Sequence, residues 1–385
     1  MRQASSNRRT RTLLPVIVVL FWFAQYIYIP YQTPFLTGLG LSSTVVGVIV
    51  GVYGFSQMVL RLPVGVSADR AGRHRGFIAV GCLAACAASV LRVTLYDGVG
   101  FLLGNVFSGL ASAMWISFMV RYTSFYSAED QQKGMARIVL YNNAGMLLGF
   151  VVGTLLYGRT SMRLLCLLAA TAGAVAAVLA LLMEKEPVPA TRRSTKELLP
   201  ICANRRLIFF SVLAVVQQGV QMSTTMSFTN QVLTSLGAGS GLVGCSSVFY
   251  MLCAVGCASL ASGSWIRRVG AGRMIPISFV LVAVYCALVP TVGSIPVVFA
   301  LQMLPGVSTG MLFSMLTTEA MREVPAWQKS TAMGFYQAVY AIGMTLLPMV
   351  TGAIASASGM STGYFVLGGM ALLSAAAAVL YMRRT

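Results

Sequence analysis

Apolar runs long enough to cross a bilayer recur twelve times along the chain, each separated from the next by a short polar turn. The pattern predicts membrane-spanning helices over about 13–37, 43–66, 76–96, 98–121, 136–158, 162–183, 206–235, 240–264, 274–293, 295–319, 330–354 and 361–382. Gly and Pro inside these runs do not argue against helix, because neighbouring helices can satisfy the backbone groups they free. One turn is densely charged, Gly65-Val66-Ser67-Ala68-Asp69-Arg70-Ala71-Gly72-Arg73-His74-Arg75. It lies between two apolar runs, so it belongs in water while its neighbours lie in lipid. The frame returns at Gly263-Ser264-Trp265-Ile266-Arg267-Arg268-Val269-Gly270, 198 residues further on, and the same offset relates Gly145 to Gly343. A shared long offset implies two homologous halves. The chain therefore divides into a six-helix bundle over 1–183, a polar linker over 184–205 and a second six-helix bundle over 206–385.

Composition supports the same class. Hydrophobic residues make up 57% of the chain, charged ones 9%, and the mean hydropathy is +0.80. A soluble protein carries roughly 25% charged residues, so this chain cannot cover a water-facing surface. The net charge of +18 is spread between apolar spans rather than gathered on one face, which argues against nucleic acid and for anionic headgroups. Twenty-two of the 27 Lys and Arg residues fall on one side of the span pattern, and Arg159 and Arg163 lie opposite. That bias places both termini in the cytoplasm and the chain in the cytoplasmic (inner) membrane as a multi-pass protein. The basic, polar start and the long first span give no cleavable signal peptide.

No span carries an acid at its middle; Glu319, near the inner end of the tenth, comes closest, with Arg322 at i+3 available to pair with it. Arg61, Arg92 and Arg121 lie toward span ends, where snorkelling is the default, and Arg92 can meet Asp97 outside. With His74 as the single histidine and eight cysteines lacking metal or disulfide spacing, a catalytic triad, a metal centre and a cofactor are all unexpected. The chain is not expected to be an enzyme. Amides and aromatic hydroxyls are frequent within spans: Gln25, Tyr28 and Gln32; Asn105, Ser108 and Trp115; Gln217, Gln218 and Gln221; Gln302; Tyr250, Gln337 and Tyr340. Each can serve either helix–helix hydrogen bonding or ligand contact. The linker reads as a charged loop with no site of its own.

The G-x-x-x-D-R-x-G-R turn and its second copy resemble the loops between helices 2 and 3, and 8 and 9, of the major facilitator superfamily. The resemblance implies alternating access around a cavity lined by helices 1, 4, 7 and 10. It makes Gln25, Tyr28, Asn105, Trp115, Gln218, Gln221, Gln302 and Tyr340 candidate substrate contacts. It makes Gly65, Asp69, Arg70, Gly72, Arg73, Glu129 and Asp130 candidate gating residues: Asp69 would reach the start of helix 11, and Arg73 would reach Glu129 or Asp130. Drug exporters of the superfamily carry L-x-x-x-R-x-x-Q-G on helix 4; here Phe101, Asn105 and Ser108 replace the first three signature residues before Gly109. Gly145-x3-Gly149-x3-Gly153 approaches the exporters' helix 5 motif, with Phe150 in place of proline. The paired Gln217-Gln218 resembles sugar porters, whose PESPR and PETKG sequences are missing.

The expected function is secondary transport of a small neutral or amphipathic molecule by a monomer in the bilayer, outward, with protons as the coupling ion and Glu319 as the coupling candidate. The alternative is an uptake carrier for a polar neutral solute such as a sugar or nucleoside. A soft-metal carrier would use Met222, Met226, Cys253 and Cys257, residues more often found as packing.

Overall fold

The computed structural model describes residues 2–71, 73–126, 131–186, 199–261, 270–325 and 329–383. Twelve of its helices are long and apolar enough to cross a membrane: α1 (Arg9–Gly38), α2 (Ser43–Gly65), α3 (Arg75–Thr94), α4 (Gly98–Thr123), α5 (Arg137–Tyr157), α6 (Met162–Leu182), α7 (Arg205–Ser235), α8 (Ser240–Cys257), α9 (Ala271–Thr291), α10 (Ile295–Met321), α11 (Thr331–Ser358) and α12 (Met360–Met382). All twelve expected spans are present. Side chains such as Leu155, Leu373 and Leu380 are more than half exposed, as a lipid-facing surface requires.

Turn chemistry sets the helix ends. Asp97 accepts from the Gly100 amide at 2.8 Å and starts α4, and Asn204 accepts from the Leu207 amide at 2.9 Å and starts α7. Gly40 after α1 and Gly237 after α7 hold φ of +83° and +86°. Glycine reaches that left-handed region at no steric cost, and its recurrence 197 residues on reproduces the repeat in the backbone.

Packing groups the chain into two compact units. The first joins the residues up to Tyr28 with Val59–Leu199, and the second joins Ile29–Met58 with Pro200–Thr385. The repeat follows the order of the chain, whereas packing follows buried surface, so the C-terminal part of α1 and the first half of α2 go with the second unit.

Within the first unit α5 lies against α1 at Gly145, where a Cβ would stand 2.5 Å from the Val19 carbonyl oxygen and 3.0 Å from the Trp22 Cβ. In the second unit α11 lies against α7 at Gly343, where a Cβ would collide with the Val215 carbonyl. The two glycines that share the repeat offset thus have one job, backbone-to-backbone approach of helices. Also in the second unit, Gly47 and Gly51 of α2 press on the carbonyls of Pro348 and Thr345, and the Thr44 amide donates to Ser356 Oγ at 3.0 Å.

Candidate functional site

Four of the twelve spans are interrupted about two helical turns or more in from either end, and they are α1, α4, α7 and α10. In α1 the helical stretches Arg2–Tyr26 and Ile29–Gly38 are separated by a turn at Ile27 and Tyr28. Pro30 has no N–H for the Tyr26 carbonyl, which accounts for the break. In α10 the stretch Ile295–Leu301 gives way to Met303–Met321 at Gln302, and Pro305 withdraws the partner of the Leu301 carbonyl. In α7 a π-helical turn runs Thr224–Phe228. There Thr224 Oγ1 donates to the Val220 carbonyl at 2.8 Å and Thr225 Oγ1 to the Gln221 carbonyl at 3.1 Å, competing for the helix's own acceptors. In α4 the break falls at Met114, between Gly98–Ala113 and Trp115–Thr123, with no proline to explain it. Interrupted spans are where membrane carriers place binding groups.

Polar side chains gather at these breaks. In the first unit Gln25 Nε2 donates to the Ser108 carbonyl at 3.0 Å and to Ser112 Oγ at 3.3 Å, and the Tyr28 and Ser108 hydroxyls are 3.5 Å apart. Arg92 enters from α3: its Nη2 donates to Asn105 Oδ1 and to Ser108 Oγ, both at 2.8 Å. Its guanidinium carbon lies 4.2 Å from the centre of the Tyr28 ring. Arg92 is 0% exposed, so it neither snorkels nor meets Asp97, whose carboxylate caps α4. Gly104 makes the room, since a Cβ there would stand 2.8 Å from Arg92 Cγ and Nε. Arg61 is likewise buried rather than snorkelling. Trp115 sits apart from this cluster, edge-on to Trp22 at 5.2 Å.

In the second unit Gln217, Val220, Gln221 and Thr224 of α7, Val282 and Tyr285 of α9, and Pro305, Thr309 and Leu312 of α10 line a narrow cavity with room for about one water molecule. Gln217 Nε2 donates to Gln221 Oε1 at 3.4 Å, Gln221 Nε2 donates to Tyr250 Oη at 2.8 Å, and Gln217 Oε1 is buried without a partner. Gln302 is fully buried: it donates to Ser246 Oγ at 2.9 Å and accepts from Tyr285 Oη at 3.2 Å. Thr229 Oγ1 stands 2.7 Å from the hydroxyls of both Tyr285 and Tyr364. Gln218 is half-buried, and Tyr340 packs edge-on against Tyr336 at 5.5 Å. Thus Gln25, Tyr28 and Asn105 share one cluster, Gln221 borders the cavity, and Gln302 is bonded between helices. Sequence reasoning missed Arg92, Tyr285 and Tyr364, which sit on α3, α9 and α12 with no motif to mark them. Cys253 packs beneath Gly306, where a Cβ would come within 2.6 Å of its own Cβ.

Near the C-terminal ends of α4 and α10 and the starts of α3 and α7, charge is paired inside each unit. Glu186 bonds the His74 amide, accepts from the Arg75 amide at 3.1 Å and pairs with Arg121 Nε at 3.3 Å. So Arg121 does not snorkel, and the start of the expected linker is tied down rather than solvated. Burial holds the His74 imidazole below its ordinary pKa, Glu186 opposing and Arg121 adding to the shift. In the second unit Arg206 bonds the carboxylate of Glu319, donates to the Glu319 carbonyl at 3.0 Å and reaches Glu323 at 3.4 Å. Arg322 lies 3.6 Å from Glu319. Of the gating residues, Arg73 is exposed and Gly65 has only Ile116 in contact range of an added Cβ, at 3.9 Å. The side chains of Asp69 and Arg70, and all of Gly72, Glu129 and Asp130, lie outside the described residues, as does 263–269 of the second motif copy. No cluster of three metal-binding side chains occurs among the described residues.

A family model described as "Major Facilitator Superfamily" matches residues 16–233 and 212–385. An uncharacterized MFS-type transporter of Mycobacterium tuberculosis is 30% identical over 132 residues, 34% of this chain and 31% of that protein. The inner membrane transport protein YajR of Escherichia coli is 26% identical over 157 residues, 40% of this chain and 34% of that protein. The match thus spans about a third of the length of these relatives. The crystal structure of the nucleoside transporter NupG superposes with a TM-score of 0.76 at 16% identity, over 96% of this chain and 98% of that one. A bacterial homolog of the human lysosomal transporter Spinster, in an inward-facing and unoccupied conformation, gives 0.79 at 14% identity over 97% and 96%.

Proposed function

This chain belongs to the major facilitator superfamily, and we propose that it is a secondary transporter moving a small, ring-bearing amphipathic molecule outward across the cytoplasmic membrane. One observation carries the reading. The spans split into two helical stretches or by a π-helical turn among the described residues are α1, α4, α7 and α10, and amides, hydroxyls and aromatic faces collect around the interruptions. Amides donate and accept without demanding a charged partner, while Tyr28 and Tyr285 offer flat apolar bodies with polar tips. Protons are the coupling ion in this reading, and Glu319 the group that carries them, which requires the Arg206 pair to open during the cycle.

A second reading is supported by the paired amides of Gln217 and Gln221 in the second unit, which can donate to and accept from the hydroxyls of a solute such as a nucleoside. Proteoliposomes separate the two. Outward transport predicts that an inward proton gradient drives movement of an amphipathic dye, with Gln221→Ala weakening it several-fold. Uridine counterflow at equal concentrations, with no dye movement, would replace export by uptake.

A further inference from the structure

Arg92 is a complete cation that no carboxylate among the described residues balances. A guanidinium offers five N–H donors. Of these, the described structure employs those on Nη2, toward Asn105 and Ser108, and both partners are neutral. Nε and Nη1 are buried without a hydrogen-bond partner, and no carboxylate pairs with the group among the described residues. No acid elsewhere in the sequence stands mid-span to serve at this depth. Asp97, the acid nearest in sequence, is committed to the Gly100 amide at 2.8 Å. The side chain also runs the wrong way for comfort. Arg92 is two residues from the end of α3, a short reach from water, yet its guanidinium turns back to Ser108, about 15 Å along α4 from Gly98 at 1.5 Å per residue. Uncompensated buried charge is costly, and in membrane spans such groups mark ligand paths.

The surroundings are built to hold this cation. Gly104 lets the Cγ and Nε of Arg92 lie directly against α4, and Tyr28 covers one face at 4.2 Å from the ring centre. Tyr28 itself stands in the break of α1, the one stretch there without regular helical hydrogen bonding, so it can move without unwinding a continuous helix.

We propose that Arg92 is the anion-binding residue of the transport site, taking the carboxylate or sulfonate of the ring-bearing solute on its unpaired Nε and Nη1 donors while Tyr28 stacks on the solute's ring. This rests on the transporter reading above and narrows its substrate to amphipathic acids. Within the expectation of a neutral or amphipathic solute, it selects the amphipathic one and gives it a charge.

The test is binding to purified protein in a neutral maltoside detergent, read by thermal shift and titration calorimetry, with matched aromatic acids and their neutral amides, 2-naphthoate against 2-naphthamide and homologous sulfonates against sulfonamides. The acids should bind at least ten-fold more tightly than the amides to the wild type. Arg92→Met should abolish that preference while keeping amide binding, Arg92→Lys should retain part of it, and ligand-free Arg92→Met should melt no lower than wild type, since an unbalanced charge has been removed. An unchanged acid preference in Arg92→Met, or no acid preference anywhere in the wild-type series, overturns the proposal. Stabilisation by added phosphatidylglycerol that vanishes in Arg92→Met, with none by the acids, would assign the group to lipid and overturn it as well. Wild-type protein that binds the amides with no preference for the acids sinks this inference but leaves the transporter reading standing; wild-type protein that binds neither series sinks both.

Discussion

Replacing two glycines of α11 by alanine should move stability in opposite directions. Gly334 and Gly343 lie nine residues apart in one helix, both in regular helical backbone. Around Gly334 nothing comes within 4 Å of an added Cβ, whereas at Gly343 that atom would overlap the Val215 carbonyl and stand 2.7 Å from the Val215 carbonyl carbon. Alanine in place of glycine in a helix interior is worth about 0.5–1 kcal/mol at either site. At Gly343 the gain is offset by overpacking, typically about 1–3 kcal/mol, and the obstacle is backbone of α7, which cannot rotate aside. Gly334→Ala should therefore stabilise by roughly 0.5 kcal/mol or slightly more, and Gly343→Ala should destabilise by about 0.5–2 kcal/mol. Melting of the detergent-solubilised protein, followed by tryptophan fluorescence, reads the sign directly. Gly145→Ala, the repeat mate, should behave like Gly343→Ala because it meets Val19 backbone at 2.5 Å. If Gly343→Ala melts at or above Gly334→Ala, the close approach of α11 to α7 is not what the structure depicts.

The other expectations concern charge and hydrogen bonding. Because burial lowers the His74 pKa from about 6.5, the unfolded chain binds more protons below that pH, so His74 costs stability as pH falls from 7 toward 5; His74→Gln should flatten the melting-temperature slope across that window, and an unchanged slope would remove His74 from it. Glu186→Ala strips a carboxylate from two backbone amides and from Arg121, leaving a buried cation, and should cost about 3 kcal/mol, visible as a large drop in melting temperature that Arg121→Met partly restores in the double variant. Glu319→Gln should abolish pH-driven transport but preserve exchange at equal concentrations; pH dependence identical to wild type would exclude Glu319 as the coupling group. Tyr250→Phe deletes the acceptor of Gln221 Nε2 and should weaken solute binding several-fold, about 0.5–1.5 kcal/mol, with calorimetry as the check.

The twelve spans were legible because bilayer thickness dictates run length, and a run of that length has few other homes. The repeat was legible for a different reason: Gly145 and Gly343 do one steric job, so neither can be replaced without separating helices. Side-chain direction was not legible. Two residues from a helix end, Arg92 could point to water or back along α4, and the choice is made by space at Gly104, twelve positions away and on another helix. The same holds for Gln302. Its amide suits a ligand as well as a neighbour, and only the placement of Ser246 and Tyr285 shows it bonded between helices. Glu186 read as linker because composition changes there, yet the carboxylate folds back to cap α3.

The repeat also shows where the two halves have parted. Arg121 and Glu319 stand 198 residues apart, the offset of the charged turns, near the C-terminal ends of α4 and α10. One is a cation and the other an acid, and each is neutralised inside its own unit, Arg121 by Glu186 after α6 and Glu319 by Arg206 at the start of α7. Glu186 and Arg206 are also the residues between which the polar linker runs, so both of its ends are fixed by buried ion pairs of reversed polarity. Such pairs add little net stability over apolar packing, but losing one partner strands a charge, which makes the arrangement sensitive to any step that separates them. Neutralising Arg121 and Glu319 together should therefore loosen both ends of the linker, and proteolysis within 187–198 should accelerate in that double variant beyond either single change. Equal cleavage rates in all three would show that the pairs do not restrain the linker.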